Sequence, residues 1–187
     1  MKYLSIDTET GGLDLDVSLL EIGLVLADEN FNELDSRVIK VKPDCKKGGR
    51  TNYIVQAEAL AINGINLVEH DKVAHPYQVV GTKLYEIFAE WVKNEKLIPT
   101  GKNVHFDLKH IWDKTINRST WEQFVSYQIM DVTSVWRFLT AQGKVPTLQS
   151  SSLSAIAEHY KLDTSGLHGS LFDARLTLSV LKELSKI

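Results

Sequence analysis

Five side chains have the types and spacing that metal-assisted hydrolysis needs: Asp7, Glu9, Asp107, His168 and Asp173. Carboxylate oxygens suit hard cations such as Mg²⁺ and Mn²⁺, whereas Zn²⁺ prefers nitrogen and sulfur ligands. Four carboxylates gathered by a fold could hold two such cations, which together stabilise the charge that develops at a phosphodiester. The histidine lies five residues before the last aspartate, where it could accept a proton from water beside the metals.

The first pair of acids follows a short apolar segment, residues 1–6, which we predict to be a buried strand. Side chains two positions apart on an extended segment point to the same side, so Asp7 and Glu9 should face one site. Carboxylates this close repel each other, and a bound cation would relieve the repulsion. For this pair taken alone, an exposed acidic turn is the alternative.

The other acids are predicted near the starts of two helices. Asp107 precedes apolar residues that recur at helical spacing, so it lies where negative charge is favoured. A simple helix cap explains Asp107 equally well when it is considered alone. Asp173 falls in the first turns of a second apolar-striped helix, and His168 lies on the loop before it.

The acidic segments occur in the order and internal spacing of three known motifs: Asp7-Thr8-Glu9, Asn103 to Phe106-Asp107, and His168 to Asp173. In these motifs the chain resembles the DEDDh 3′–5′ exonucleases of the ribonuclease-H-like superfamily. That family includes the proofreading subunit of bacterial replicative DNA polymerase and ribonuclease T. Each motif is short and weak alone, but the three together are specific and span nearly the whole chain.

The resemblance implies a metal-dependent 3′–5′ exonuclease that hydrolyses phosphodiester bonds at the 3′ end of DNA or RNA and releases nucleoside 5′-monophosphates. The four carboxylates would bind two divalent cations, Mg²⁺ or Mn²⁺, and His168 would act as general base. The resemblance also implies that Thr10, Gly11, Leu13 and Asn103 contact the substrate.

The order of the predicted elements favours an α/β fold. Strands are predicted first, and helices and strands then alternate, which is typical of a mixed sheet flanked by helices. The resemblance sharpens this to a ribonuclease-H-like mixed sheet of five strands, and we expect residues 1–187 to form a single 3′–5′ exonuclease domain. One segment, residues 121–127, is predicted to be helical.

Composition and charge limit the partners that we expect. A net charge of −3 argues against an extended nucleic-acid footprint and favours a small one at the 3′ end of a single strand of DNA or RNA. The basic segment around Lys46 and Arg50 could touch phosphates, although a solvated connection is the favoured interpretation. No apolar run is long enough for a bilayer, so we expect no membrane partner. The single cysteine, Cys45, favours a reducing, cytoplasmic location.

Several alternatives stay open at this point. The chain could be a nucleic-acid-binding or polymerase-accessory module of the same fold without turnover, or a metal-binding regulator. The intact set of five residues argues against a module without turnover. The preference for DNA or RNA, and a homodimer or a polymerase partner, are not decided by any residue of the sequence.

Overall fold

The computed structural model describes residues 1–45 and 51–187, so the basic segment around Lys46 and Arg50 lies outside the described residues. Six strands form one mixed sheet, and they are β1 Tyr3–Thr10, β2 Leu19–Ala27, β3 Glu33–Lys42, β4 His75–Pro76, β5 Ile98–Gly101 and β6 Met130–Asp131. Their order across the sheet is β4-β3-β2-β1-β5-β6. The first strand lies inside the sheet, antiparallel to β2 and parallel to β5.

Eight helices within the described residues flank this sheet. They are α1 Ala57–Asn63, α2 Leu67–Val73, α3 Tyr77–Trp91, α4 His105–Lys114, α5 Arg118–Trp121, α6 Val132–Ala141, α7 Leu153–His159 and α8 Ser170–Leu184. None of them combines the length and the apolar character that crossing a membrane requires.

Both faces of the central strands are buried, because helices pack on each side of the sheet. On one face, Ile6 and Leu24 join the same apolar cluster as Leu84 and Phe88 of α3. On the other face, Val25 of β2 packs with residues of α8. Burial on two sides explains why β2 is an almost continuous apolar run rather than an alternating one.

The predicted fold class is confirmed, but the prediction of five strands is wrong by one. The additional strand, β4, has two residues and pairs in parallel with only the last two residues of β3. A strand this short leaves no periodic pattern, and its second residue is a proline. Sequence periodicity therefore could not reveal it.

The helix predicted over residues 121–127 is also wrong. The helical turn lies earlier, at Arg118–Trp121, and Val125 forms an isolated parallel bridge with Leu97. Trp121 is almost fully buried in the core, where its ring lies edge-on to Phe88 at a centroid distance of 4.9 Å. Tertiary packing of this ring therefore decides the backbone of the segment more than helical propensity does.

Candidate active site

Three carboxylates meet at one end of the central strand. Asp7 and Glu9 extend from β1, and Asp173 lies in the first turn of α8. One oxygen from each of these side chains lies within 4.8 Å of the other two, close enough to share a cation. The structure therefore brings together three of the four carboxylates that the sequence indicates.

A glycine allows α8 to approach the sheet at this point. Gly23 is the β2 residue directly opposite Asp7, and a Cβ atom added to it would lie 2.3 Å from the carbonyl carbon of Ser170. No side chain fits in that space, so glycine is required for the close approach of backbone to backbone. Because Ser170 begins α8, this contact sets the depth at which Asp173 reaches the other acids.

Two hydrogen bonds hold the first turn of α8 in place, one of them buried and the other partly buried. The Ser5 hydroxyl on β1 donates to the Ala174 carbonyl oxygen at 2.7 Å. The Ser170 hydroxyl donates to Oε1 of Glu21 on β2, also at 2.7 Å. Glu21 lies opposite Glu9 in the strand pairing, so a further carboxylate stands beside the three.

His168 is joined to Asp173 through its backbone. Its N–H donates to Oδ2 of Asp173 at 3.2 Å, and its φ of +69° is a left-handed value that reverses the chain just before α8. The imidazole is exposed to solvent beside the acids. The second oxygen of Asp173, Oδ1, is buried and has no hydrogen-bond partner. A buried carboxylate oxygen left unpaired is costly unless a cation satisfies it.

Asp107 lies next to this cluster but outside the group of three. Its Oδ1 accepts hydrogen bonds from the Thr8 N–H at 2.9 Å and from the Thr8 hydroxyl at 2.7 Å. The Thr8 N–H is available because β5 pairs with β1 only as far as Ser5, which leaves the edge of β1 open beyond that residue. No described residue forms a hydrogen bond with Oδ2 of Asp107, so that oxygen can take another partner.

The loop that leads into α4 is held by Asp131, at the end of β6. Its Oδ2 accepts from the Val104 N–H at 3.1 Å, and its Oδ1 accepts from the Ser134 N–H and so caps α6. This side chain therefore fixes the start of α4, the helix that carries Asp107.

Burial raises the pKa of Asp7, Glu9, Asp107 and Asp173, and repulsion between the cluster acids adds to the effect for Asp7 and Glu9. Removal from water raises the pKa of Glu9 to about 8, and the charges of Asp173, Glu21 and Asp107 add to the effect. The pKa of Asp7 is raised well above its usual range, first by burial and then by the neighbouring carboxylates.

The pKa of Asp107 is raised to about 7 by burial, against the lowering effect of its hydrogen bonds from Thr8. Burial also raises the pKa of Asp173, although the hydrogen bond from His168 opposes it. Such an arrangement disfavours negative charge unless a cation is present. The donor set consists only of carboxylates, which fits a hard divalent cation.

Two cavities open beside the acids, and they share the walls formed by Leu13 and Phe106. The first, about 280 Å³, is lined by Glu9 and by apolar side chains that include Ile62. The second, about 520 Å³, contains Asn103 and three basic side chains, which are His105, Lys109 and Arg137. The side chain of Leu13 is 83% exposed at the boundary between the two cavities.

The predicted substrate contacts differ in their surroundings. Leu13 and Asn103 line the cavities, and the side-chain Oδ1 of Asn103 accepts from the Thr133 hydroxyl at 3.1 Å. Thr10 also lines the smaller cavity, but its hydroxyl donates to the Gly12 carbonyl at 2.6 Å. Gly11 packs against the backbone of Ile54, where a Cβ atom would lie 2.4 Å from the carbonyl oxygen, so its role is to admit that segment.

Sequence reasoning missed Thr8, Glu21 and Ser170 as parts of the site. The signal for Glu21 was present, because it is the one charged residue in an otherwise apolar strand. Nothing in the local sequence marks Thr8 or Ser170, since their roles depend on which elements meet across the sheet.

The geometry of this site agrees with the comparisons with known proteins. A family model described as the RNase T exonuclease family matches residues 4–181. The chain therefore belongs to this exonuclease family. A sequence comparison with curated proteins finds no significant match.

Solved structures of exonuclease I have the same fold. The zinc-bound complex of Escherichia coli exonuclease I with single-stranded DNA is 18% identical, with a TM-score of 0.81, and the match covers 99% of this chain and 40% of that one. The complex of the same enzyme with a dA16 oligonucleotide is 19% identical, with a TM-score of 0.81 and coverages of 99% and 41%. The chain thus spans about two fifths of the length of exonuclease I.

Proposed function

We propose that the protein is a 3′–5′ exonuclease that releases nucleoside 5′-monophosphates from the 3′ end of single-stranded nucleic acid. The observation that carries this proposal is the cluster of Asp7, Glu9 and Asp173 on an exonuclease fold, with ligand oxygens within 4.8 Å of one another. A module that only binds nucleic acid gains nothing from such mutually repelling, buried acids, so turnover is favoured over binding alone.

Asp7, Glu9 and Asp173 would hold two Mg²⁺ or Mn²⁺ ions together with Oδ2 of Asp107. When bound, these ions would stabilise the negative charge that develops on the attacking and leaving oxygens. The orphaned Oδ1 of Asp173 supports the fit, because a cation gives it the partner that the protein does not provide. Thr8 would fix the orientation of the Asp107 carboxylate through its two hydrogen bonds.

His168 is the group that we assign to proton transfer. Its backbone is tied to Asp173, which sets the ring near the acids, while the ring itself stays open to solvent and to substrate. The imidazole would accept the proton of the attacking water as the phosphodiester bond breaks. Because the contact to Asp173 uses the backbone N–H, the ring nitrogens remain free for this step.

We assign the terminal nucleoside to the smaller cavity beside Glu9. Its apolar lining, with Leu13, Ile62 and Phe106, suits a base and sugar. The larger cavity, with Lys109 and Arg137, suits the phosphate of the preceding nucleotide. Complexes of exonuclease I with dT13 and dA16 support single-stranded DNA as the first substrate to test. A homodimer or polymerase partner and a cytoplasmic location stay predictions.

The test is degradation of matched single-stranded DNA and RNA, each labelled at the 5′ end, with Mg²⁺, Mn²⁺ or a chelator. We expect a ladder of products that shortens from the 3′ end only when the cation is present. Comparison of the degradation rates of the DNA and the RNA then shows which sugar the enzyme prefers. Asp7→Ala should abolish the ladder, because it removes a cation ligand at the centre of the cluster.

Intact strands in every lane would contradict the proposed turnover and favour the binding module. Shortening from the 5′ end would contradict the polarity alone. An Asp7→Ala protein that degrades nucleic acid as fast as the wild type would show that activity comes from elsewhere.

A further inference from the structure

The outer edge of the sheet carries a groove at β3, which is separated from the acids of β1 by the intervening strand β2. Strand β4 pairs only with Val41 and Lys42, so within the described residues no strand covers β3 from Glu33 to Lys40 on that side. A cavity of about 630 Å³ runs along this edge, and we call it the β3 groove. Its lining consists of Arg37, Val38, Ile39, Lys40, Val73, His75, Lys83, Glu86 and Ile87.

The main chain of this edge is free to pair with another segment. In the described part of the chain, no side chain or loop forms a hydrogen bond with the backbone of Arg37, Val38, Ile39 or Lys40 from outside the β2–β3 ladder. Alternate N–H and C=O groups of an edge strand point away from the sheet and form a template for one more strand.

The side chains of the β3 groove combine apolar surface with positive charge. Val38 is 42% exposed and Val73 is 56% exposed, so both offer contacts to an incoming side chain. Arg37 is neutralised by Asp35 and Glu90. Lys40 and Lys83 form no ion pair with any described residue, and the one acid in the lining is Glu86.

We propose that the β3 groove binds an extended acidic segment of a partner protein, which adds as a strand to the free edge of β3. Val38 and Lys40 lie on one face of β3, whereas Lys83 lies on α3, which packs on the other face. An acidic side chain on one face of the added strand contacts Lys40 next to Val38 and Val73, and an acidic side chain on its other face contacts Lys83. Main-chain hydrogen bonds give affinity in such strand addition, and the side chains give specificity. This proposal does not depend on the nuclease reaction.

Two other occupants fit the groove less well. A second copy of this chain, paired through its own β3, would bring Lys40 and Lys83 of both copies to one shared edge, and like charges across strands repel. Nucleic acid needs a continuous run of cations. The exposed valines interrupt such a run, and the cavity between the groove and the acids contains Glu21 and Glu69.

The test is fluorescence anisotropy with a labelled, end-capped peptide made of two Glu-Glu-Val-Val repeats, which presents both acids and valines on each of its two faces. We expect saturable binding to the wild type and at least about tenfold weaker binding to Lys83→Glu and to a Lys40→Gln/Lys83→Gln double variant, because each loses attraction for the acids. Lys144→Glu, which removes an exposed lysine elsewhere, should bind as the wild type does. Thermal unfolding checks that the variants are folded.

A second peptide with the same charges but N-methylated at every residue separates strand addition from simple charge attraction. We expect it to bind at least about tenfold more weakly, since it cannot donate the main-chain hydrogen bonds. Equal binding of the two peptides, wild-type affinity in Lys83→Glu, or no saturable binding of the acidic peptide would each overturn the proposal.

Two further measurements test whether the β3 groove instead binds nucleic acid or a second copy of this chain. In the presence of a chelator, a Lys83→Glu protein that loses affinity for single-stranded DNA but not for the peptide would assign the groove to nucleic acid. A dimer in sedimentation that dissociates in the Lys40→Gln/Lys83→Gln variant would assign it to a second copy. Either result overturns the peptide proposal.

Discussion

The molecule contains two groups of carboxylates that differ in how their charge is balanced. At the outer part of the sheet, Glu33 accepts a two-pronged hydrogen bond from Arg175, with both distances 2.8 Å. Asp35 accepts from the Trp91 indole at 2.9 Å and pairs with Arg37. These donors lower the pKa of both acids. The surface group is therefore complete without any ligand.

The acids at the end of β1 have the opposite character. Asp7, Glu9 and Asp173 have no basic side chain within ion-pair distance among the described residues. Burial raises the pKa of all three, and neighbouring carboxylates raise the pKa of Asp7 and Glu9 further. The contrast shows that this second group is not arranged for the stability of the metal-free protein. It is arranged to receive positive charge from outside the chain.

The strongest test of this contrast removes one charge from each group. Asp173→Asn should lower nuclease activity about a thousandfold or more, because the loss of a metal ligand weakens a stabilisation worth several kcal/mol. Glu33→Gln removes the same charge from the paired group and should leave activity unchanged. Initial rates on labelled single-stranded DNA at saturating Mn²⁺ measure both. Equal losses in the two variants would erase the distinction between the groups.

The next prediction concerns the residue beside the cluster rather than the acids themselves. His168→Asn should reduce the maximal rate about a hundredfold, because the general base is lost. Its Mn²⁺ affinity, measured by calorimetry, should stay near that of the wild type, since the contact with Asp173 uses the backbone. His159→Asn, at an exposed histidine on α7, serves as the matched control. Undiminished turnover in His168→Asn would refute the assignment.

Stability of the metal-free protein should depend on pH in opposite directions for the two groups. For the site acids, the folded state keeps protons up to a pKa of about 7 for Asp107 and about 8 for Glu9. The unfolded chain loses them near pH 4. The free energy of unfolding should therefore fall by several kcal/mol as the pH rises from 5 to 8, at about 1.4 kcal/mol per pH unit for each acid that stays protonated.

Saturating Mg²⁺ or Mn²⁺ should reverse this fall, because cations bind the deprotonated acids of the folded protein. The paired acids Glu33 and Asp35 affect the free energy of unfolding only at lower pH. Their lowered pKa values add stability, which is lost as the pH falls below about 4. Urea unfolding at several pH values, with and without cation, measures the effect. A flat profile between pH 5 and 8 in the chelated protein would contradict the prediction.

The smallest expected effect comes from Glu21, which belongs to neither group in full. Glu21→Gln keeps an acceptor for the Ser170 hydroxyl but removes a charge that stands beside Glu9. Cation affinity should fall about fivefold, close to 1 kcal/mol, as expected for one charge near a protein surface. The maximal rate at saturating cation should change less than twofold. A large loss of maximal rate would show that Glu21 binds the cation directly.

Much of the fold and part of the site follow from local patterns in the sequence. Strand β2 was predictable because it is an almost continuous apolar run of strand length, and helix α8 because its apolar residues recur at helical spacing. Asp7 and Glu9 were predictable as a pair because side chains two apart on a strand must face one side.

Features that depend on contacts across the sheet could not be read from the sequence. Thr8 reaches Asp107 only because β5 stops pairing with β1 at Ser5. The residues around Thr8 do not indicate where the neighbouring strand ends. Helix α2 was not predicted, since seven residues provide too short an apolar pattern. The sequence placed Asp107 among the metal ligands, whereas the structure ties one of its oxygens to Thr8 and leaves one free.

The close approach at Gly23 has a consequence for when the protein becomes able to cut. The hydrogen bond that fastens α8 to β1 joins Ser5 and Ala174, which are 169 residues apart. During synthesis, all six described strands leave the ribosome before Asp173 does. The cluster of acids is therefore completed only when α8 docks. Loss of α8 would break up the cluster and would also uncover the apolar face of β1 and β2 that this helix covers.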